Sequence, residues 1–142
     1  MSDLNITAAS VVPADTSTTI ARGTAGGSIT AGQVVYADPA DNYRIKPAQA
    51  TDEDEANNVV GIALNGAYSG QPIAYATSGD VTFNSAFTAA SLYVLSGENA
   101  GGIAPSADLD DSTNTWYGVV LGIATSATNL RLGITKSGAK NP

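Results

Sequence analysis

Cysteine and histidine are both missing from this 142-residue chain, and their absence closes most routes to catalysis. Without them there is no disulfide framework, no thiolate nucleophile, no Ser-His-Asp or Cys-His arrangement, and no nitrogen or sulfur ligand for zinc. Charge is also scarce: 13% of residues are charged, against roughly 25% in a typical soluble domain. Positive charge is the scarcer sign, with six Lys and Arg against thirteen Asp and Glu and a formal net charge of −7. Arg22, Arg44, Lys46, Arg131, Lys136 and Lys140 form no run, so clustered phosphate contacts are excluded and the acidic excess repels nucleic acid. No apolar run approaches the ~20 residues that cross a bilayer, and no basic n-region with an apolar stretch opens the chain. The expected product is soluble and cytoplasmic, with neither nucleic acid nor membrane as a partner.

What the chain has instead is small residues, glycine and short β-branched runs. The stretch from Asn57 to Phe83, NNVVGIALNGAYSGQPIAYATSGDVTF, reads as three strands. Val60, Ile62 and Leu64 share one face of the first, and Ile73 and Tyr75 one face of the second. Asn65-Gly66, Ser69-Gly70 and Ser78-Gly79-Asp80 supply the turns, where glycine takes the positive φ that tight connections require. Tyr117 to Gly138 repeats this grammar with the same Gly-Ile-Ala centre and a closing Ser-Gly.

The match between the two halves goes further. Val34-Val35-Tyr36 answers Leu92-Tyr93-Val94 and Ile45 to Ala48 answers Ile103 to Ser106, both at a spacing of 58; Gly61-Ile62-Ala63 answers Gly122-Ile123-Ala124 at 61 and Ile73 to Gly79 answers Leu132 to Gly138 at 59. Such ordered blocks predict a tandem duplication, against the alternative that short glycine-punctuated strands simply look alike. The predicted fold is all-β: a small barrel or β-sandwich built from two pseudo-repeated units, about 31–79 and 89–138, inside one β domain of residues 31–138. Val60, Ile62 and Ile73 of the first unit and Leu121, Ile123 and Leu132 of the second are the expected shared core. A Thr51 cap with carboxylates behind it predicts one or two turns of helix after Thr51, and nothing longer elsewhere.

Residues 1–30 lack any sustained period. Leu4, Ile6, Val11, Val12 and Ile20 are large aliphatic residues scattered among Ser, Thr, Ala and Asp. This segment is expected to be an extended arm, ordered on a neighbouring chain by strand addition or else a disordered tail, and those five side chains are the candidate contact residues. Residues 139–142 form a short tail.

The remaining chemistry is carboxylate chemistry. Asp52, Glu53, Asp54 and Glu55, and again Asp108, Asp110 and Asp111, offer oxygen ligands suited to calcium. Neither run has the alternating pattern of a calcium loop, and both read as solvated acidic loops that keep β edges apart. A glycosidase needs two acids facing across an aromatic-lined cleft, whereas the one Trp, six Tyr and two Phe fall mostly at core-like strand positions. Gly26-Gly27 and Gly101-Gly102 neither open a helix nor carry the Gly-Lys-Ser/Thr ending of a phosphate loop. The expectation is a non-enzymatic protein with no catalytic residues, no metal and no cofactor.

Taken together, the blocks AGQVVYAD, VVGIALNGAYSGQPIAYATSGDVTF, SLYVLSGENAGGIAPSADL and YGVVLGIATSATNLRLGITKSG resemble the small β-rich head decoration, or capsid cement, proteins of tailed double-stranded DNA bacteriophages. The resemblance covers about residues 31–138. It implies a virion structural protein on the outer capsid surface, bound to the major capsid protein and to copies of itself, as a trimer rather than a dimer, and synthesised in the host cytoplasm. The neutral, small-residue surface and the acidic charge suit that exterior position. The alternative class is a head fibre or tail-associated adhesin domain binding a host surface glycan. Clustered surface aromatics would favour it, and Trp116 with Tyr117 is the pair the sequence offers.

Overall fold

The computed structural model describes residues 3–4, 6–14, 18–84, 86–110 and 116–140. Two strands come from the N-terminal segment, β1 (Val12–Pro13) and β2 (Thr19–Thr24). The first unit then supplies β3 (Val34–Asp38), β4 (Arg44–Pro47), the helix α1 (Glu53–Asn57), β5 (Val59–Ala63) and β6 (Pro72–Thr82). The second supplies β7 (Leu92–Leu95), β8 (Ile103–Pro105), a 3-10 turn at Ser106–Asp110, β9 (Tyr117–Ala124) and β10 (Asn129–Lys140). The ladder runs β4-β3-β5-β6-β10-β9-β7-β8, with β1 and β2 both added to β6. Each unit therefore has the same internal order, and the two meet through their last strands.

The repeat is carried in the register. Val35, Tyr36 and Ala37 lie opposite Pro47, Lys46 and Ile45, and Tyr93, Val94 and Leu95 lie opposite Pro105, Ala104 and Ile103. In β3 and β5 the pairing passes from Val35–Gly61 to Tyr36–Val59; in β7 and β9 it passes from Tyr93–Gly122 to Val94–Val120. Val60 and Leu121 are thus the extra residues of equivalent β-bulges. The glycine beside each bulge has a steric cause, because a Cβ on Gly61 would overlap the carbonyl oxygen of Ala76, and one on Gly122 that of Arg131. Equivalence in the last strands departs from the expected spacing. Ile62 faces Ala76 and Ile123 faces Arg131, so the last strands correspond at a spacing of 55, and the likeness of Ile73–Gly79 to Leu132–Gly138 is not structural. The β9–β10 turn is shorter than the Leu64–Gln71 connection, and that accounts for the difference.

The bulges also overturn two expected faces. A residue added to a strand reverses which side the next ones take. Ile62 is fully buried in the main core while Val60 packs against a second cluster on the opposite face. Leu121 is fully buried, but Ile123 is 39% exposed, as is its cross-strand partner Leu92 at 46%. The equivalent pair in the first unit, Val34 and Ile62, is turned inward. A further bulge in β6, where Ile20 pairs with Ala76 and Thr19 with Ser78, lets Ala76 and Val81 serve the same core despite their odd separation. The sheet curls through this strand, and opposite faces of the two units become its inner side.

The main core joins Val34, Tyr36, Val59 and Ile62 to Tyr93, Leu95, Ile103, Trp116, Leu121 and Leu130. Phe83, Phe87 and Tyr93 meet edge to face at ring separations of 5.0 and 4.9 Å. Leu130 and Leu132 point inward between exposed Arg131 and Gly133, as alternation predicts. The ends of the strand order draw together by loop contacts: Gly101 N–H donates to Ala48 O at 2.6 Å, and Ala50 N–H to Ser96 O at 2.9 Å. α1 is the one α-helix among the described residues. Its cap is Asp52, whose carboxylate accepts from Glu55 N–H at 3.2 Å, one residue later than the expected Thr51. No helix among the described residues is long and apolar enough to cross a membrane.

Two substitution sets test this account. Gly61→Ala and Gly122→Ala should each lower stability in urea melts by about 3 kcal/mol, the upper range for overpacking, while Gly133→Ala, with open space around it, should stay within about 0.5 kcal/mol. Leu121→Ala should cost ~2–5 kcal/mol; Ile123→Asp should leave the domain folded, and unfolding by Ile123→Asp would refute the outward face.

Candidate functional site: a contact surface

The N-terminal segment is strand-paired, but to its own domain. Running antiparallel to β6, it places Val12 opposite Thr82 and Pro13 opposite Val81, then Thr19 to Thr24 opposite Ser78 to Pro72. Ala14 N–H donates to Asp80 O at 3.0 Å between them. Further upstream, Leu4 N–H donates to Ile103 O at 2.8 Å, and the Asp3 carboxylate accepts from Ser96 Oγ and Asn99 Nδ2. The segment beyond β2 contributes Ala25 and Ile29 to the second cluster, with Val35, Ile45, Ala63, Ala67 and Ile73. The strand edge that this segment fills is the chain's own, that of β6.

That placement divides the five candidate contact residues. Val11 is 4% exposed in the main core, and Leu4 and Ile6 are half-buried against it. They are committed within the chain. Val12 and Ile20 stay exposed at 48% and 40%. Together with Leu92 and Ile123 they are the large aliphatic side chains left outward among the described residues.

Sequence reasoning missed Leu92 and Ile123, whose outward direction depends on the bulge at Leu121. Across the sheet, Leu92 faces Ile123, Ile123 faces Arg131, and Arg131 faces Asp80. Arg131 clamps Asp80 through Nε at 2.9 Å and a second guanidinium nitrogen at 3.3 Å. An outward row thus runs from two aliphatic side chains into one ion pair, on a sheet surface rather than in a cleft. Trp116, by contrast, is 2% exposed, so the Trp116–Tyr117 pair does not form an aromatic platform. Exposed tyrosines sit instead on loops, Tyr43 after the β3–β4 turn and Tyr68 in the β5–β6 connection.

The carboxylates of the β3–β4 turn and of α1 differ from each other. Asp38 caps the turn at Pro39–Asp41, and Lys46 Nζ reaches Asp38 at 2.8 Å and Asp41 at 3.1 Å. Hydrogen bonding from Lys46 holds the Asp38 carboxyl below its ordinary range. Glu55 goes the other way, raised by burial first and then by the Asp52 charge. Among the described residues no three acidic groups gather closely enough to hold a metal ion. Asp111, one of the candidate calcium ligands, lies outside the described residues. No protein-family model matches the chain, and no curated protein sequence matches it.

The Asp80–Arg131 pair gives a pH signature. Hydrogen bonding from Arg131 depresses the Asp80 carboxyl, so its contribution is full above the unfolded value of about 3.9 and is lost as pH falls through the lower folded value. Urea midpoints taken from about pH 5 down to about pH 2 should fall more steeply for the parent protein than for Asp80→Asn. Parallel curves would show that the pair contributes nothing, as many exposed ion pairs do. Val11→Asp should unfold the domain outright, because it buries an unpaired carboxylate.

Proposed function

We propose that this is a virion structural protein, a decoration or cement protein that binds the outer surface of an icosahedral phage head and stabilises it without catalysis. The observation that carries this reading is the outward sheet face with Leu92 and Ile123 unpartnered, at positions whose first-unit equivalents are core. A sheet surface of mixed apolar and paired polar groups suits contact with another folded protein. The low charge of the chain and its acidic balance agree with a position packed among like copies, outside the packaged DNA. The resemblance of the strand blocks to head decoration proteins supports the same class.

On this reading the partners are the major capsid protein and further copies of the chain, a trimer ahead of a dimer. Val12 and Ile20, with Leu92 and Ile123, make the contact, while Leu4, Ile6 and Val11 brace the arm from within. A ligand that binds only the expanded shell adds to the stability of that state. The adhesin alternative loses its aromatic pair to the burial of Trp116.

Purified heads lacking the protein provide the test. Added protein should co-sediment with them at a fixed stoichiometry and raise the temperature at which they release DNA, while Leu92→Asp with Ile123→Asp should abolish both effects and leave the protein's own melting temperature unchanged. Heads that stay bare with the parent protein present would reject the proposal. Light scattering on the free protein reads the trimer directly.

A further inference from the structure

The β5–β6 connection and the segment between β2 and β3 enclose an open groove of about 610 Å³, with Ser28, Thr30, Tyr68 and Gln71 among its walls over buried Ile29 and Ala67. We propose that this groove binds a neutral saccharide, one pyranose ring of which lies on the ring of Tyr68.

The second unit serves as an internal control. The two units share one register through β5 and β9, yet the next strand is reached by four residues in the second unit, Thr125 to Thr128, and by eight in the first, Leu64 to Gln71. The short turn is enough for the fold. Of the longer connection, Ala67 joins the second cluster, whereas Tyr68 is left 70% exposed, more than any other large apolar or aromatic side chain among the described residues.

The backbone beneath that ring is fixed. Ile29 and Ala67 exchange backbone hydrogen bonds at 2.8 and 3.0 Å, Ala25 N–H donates to Gln71 O at 2.8 Å, and Gly70 N–H donates to Ala25 O at 2.8 Å. Gln71 Oε1 accepts from Tyr68 N–H at 2.8 Å. A tyrosine held this way presents apolar area and a polar tip at little ordering cost, which is the economy of a preorganised binding surface.

The chemistry of the walls selects the ligand. No charged side chain lines the groove among the described residues, so a phosphate or carboxylate ligand would find no counter-charge there. The Ser28, Thr30 and Tyr68 hydroxyls and Gln71 Nε2, all on exposed residues, have no partner among the described residues. A wholly apolar ligand would desolvate them without compensation. A pyranose satisfies both conditions: its C–H face lies on an aromatic ring, and its hydroxyls donate to and accept from short polar side chains. The volume falls within the range of about 300–1,000 Å³ usual for small-molecule sites. None of these residues belongs to the surface of Val12, Ile20, Leu92 and Ile123, so the proposal is independent of the decoration reading.

The test is nuclear magnetic resonance of the isotopically labelled full chain titrated with cellobiose, lactose and mannobiose, and with sorbitol as a polyol that has hydroxyls but no ring face. Saturable shifts at Ser28, Thr30, Tyr68 and Gln71 are expected from at least one disaccharide, and none from sorbitol. Tyr68→Ala should weaken that binding about tenfold, the size of one aromatic contact, while Tyr68→Phe should keep most of it, both with unchanged melting temperature. Absence of saturation by all three disaccharides, an equal response to sorbitol, or undiminished binding by Tyr68→Ala would each overturn the proposal. Phage heads take no part in the measurement, so its failure leaves the decoration reading as it stands.

Discussion

Everything in this fold is tied to one strand whose two edges are both occupied along its length. Ala76 of β6 pairs with Ile62 on one side and Ile20 on the other, and Val81 pairs with Leu130 and Pro13. β6 therefore holds the first unit, the second unit and the N-terminal segment in a single ladder. Its bulge opposite β2 gives the strand its change of inward face, and the common core depends on that change. A sheet of this kind has little surplus edge to protect, since its outer strands are drawn together by the Ala48–Ala50 and Ser96–Gly102 contacts.

The division of labour between the two units follows from this curl. In the first unit both faces are covered, one by the main core and one by a cluster that borrows Ala25 and Ile29 from the N-terminal segment. In the second unit nothing comparable lies over Leu92 and Ile123 among the described residues. The two units thus share one register in unlike surroundings: the first is supported by the N-terminal segment, and the second offers a sheet surface outward. The charges that pair are used locally, Lys46 within its turn and Arg131 across strands.

Much of this was legible in the residues. The all-β class, the two units, the strand pairs at a spacing of 58 and the Gly-Ile-Ala equivalence all follow from short apolar runs and their order. What the sequence hid was every consequence of a bulge. Alternation is a rule of unbroken strands, so Val60 with Ile62 and Leu121 with Ile123 were assigned common faces that the extra residue separates. The glycines at 61 and 122 were visible as repeats, yet their cause, a carbonyl of the next strand occupying the Cβ position, lies in a residue 15 positions away in one unit and nine in the other. The N-terminal segment looked incapable of order because its aliphatic residues have no period. A strand paired to a ready edge needs none, as backbone groups supply the ladder and a few side chains, Val11 and Ile29 among them, are deeply buried.

The pairing of β1 and β2 with β6 has a meaning for the chain as it is made. A ribosome releases the N-terminal segment some fifty residues before the strand that receives it, and at ~5–20 residues per second that segment spends seconds without a partner. Contacts so distant in sequence also slow folding, because a large loop must close before they are rewarded. The sparse spread of Leu4, Ile6, Val11, Val12 and Ile20 is then a safeguard: a segment with more regular apolar residues would fill the wait by pairing with its counterpart on a neighbouring nascent chain.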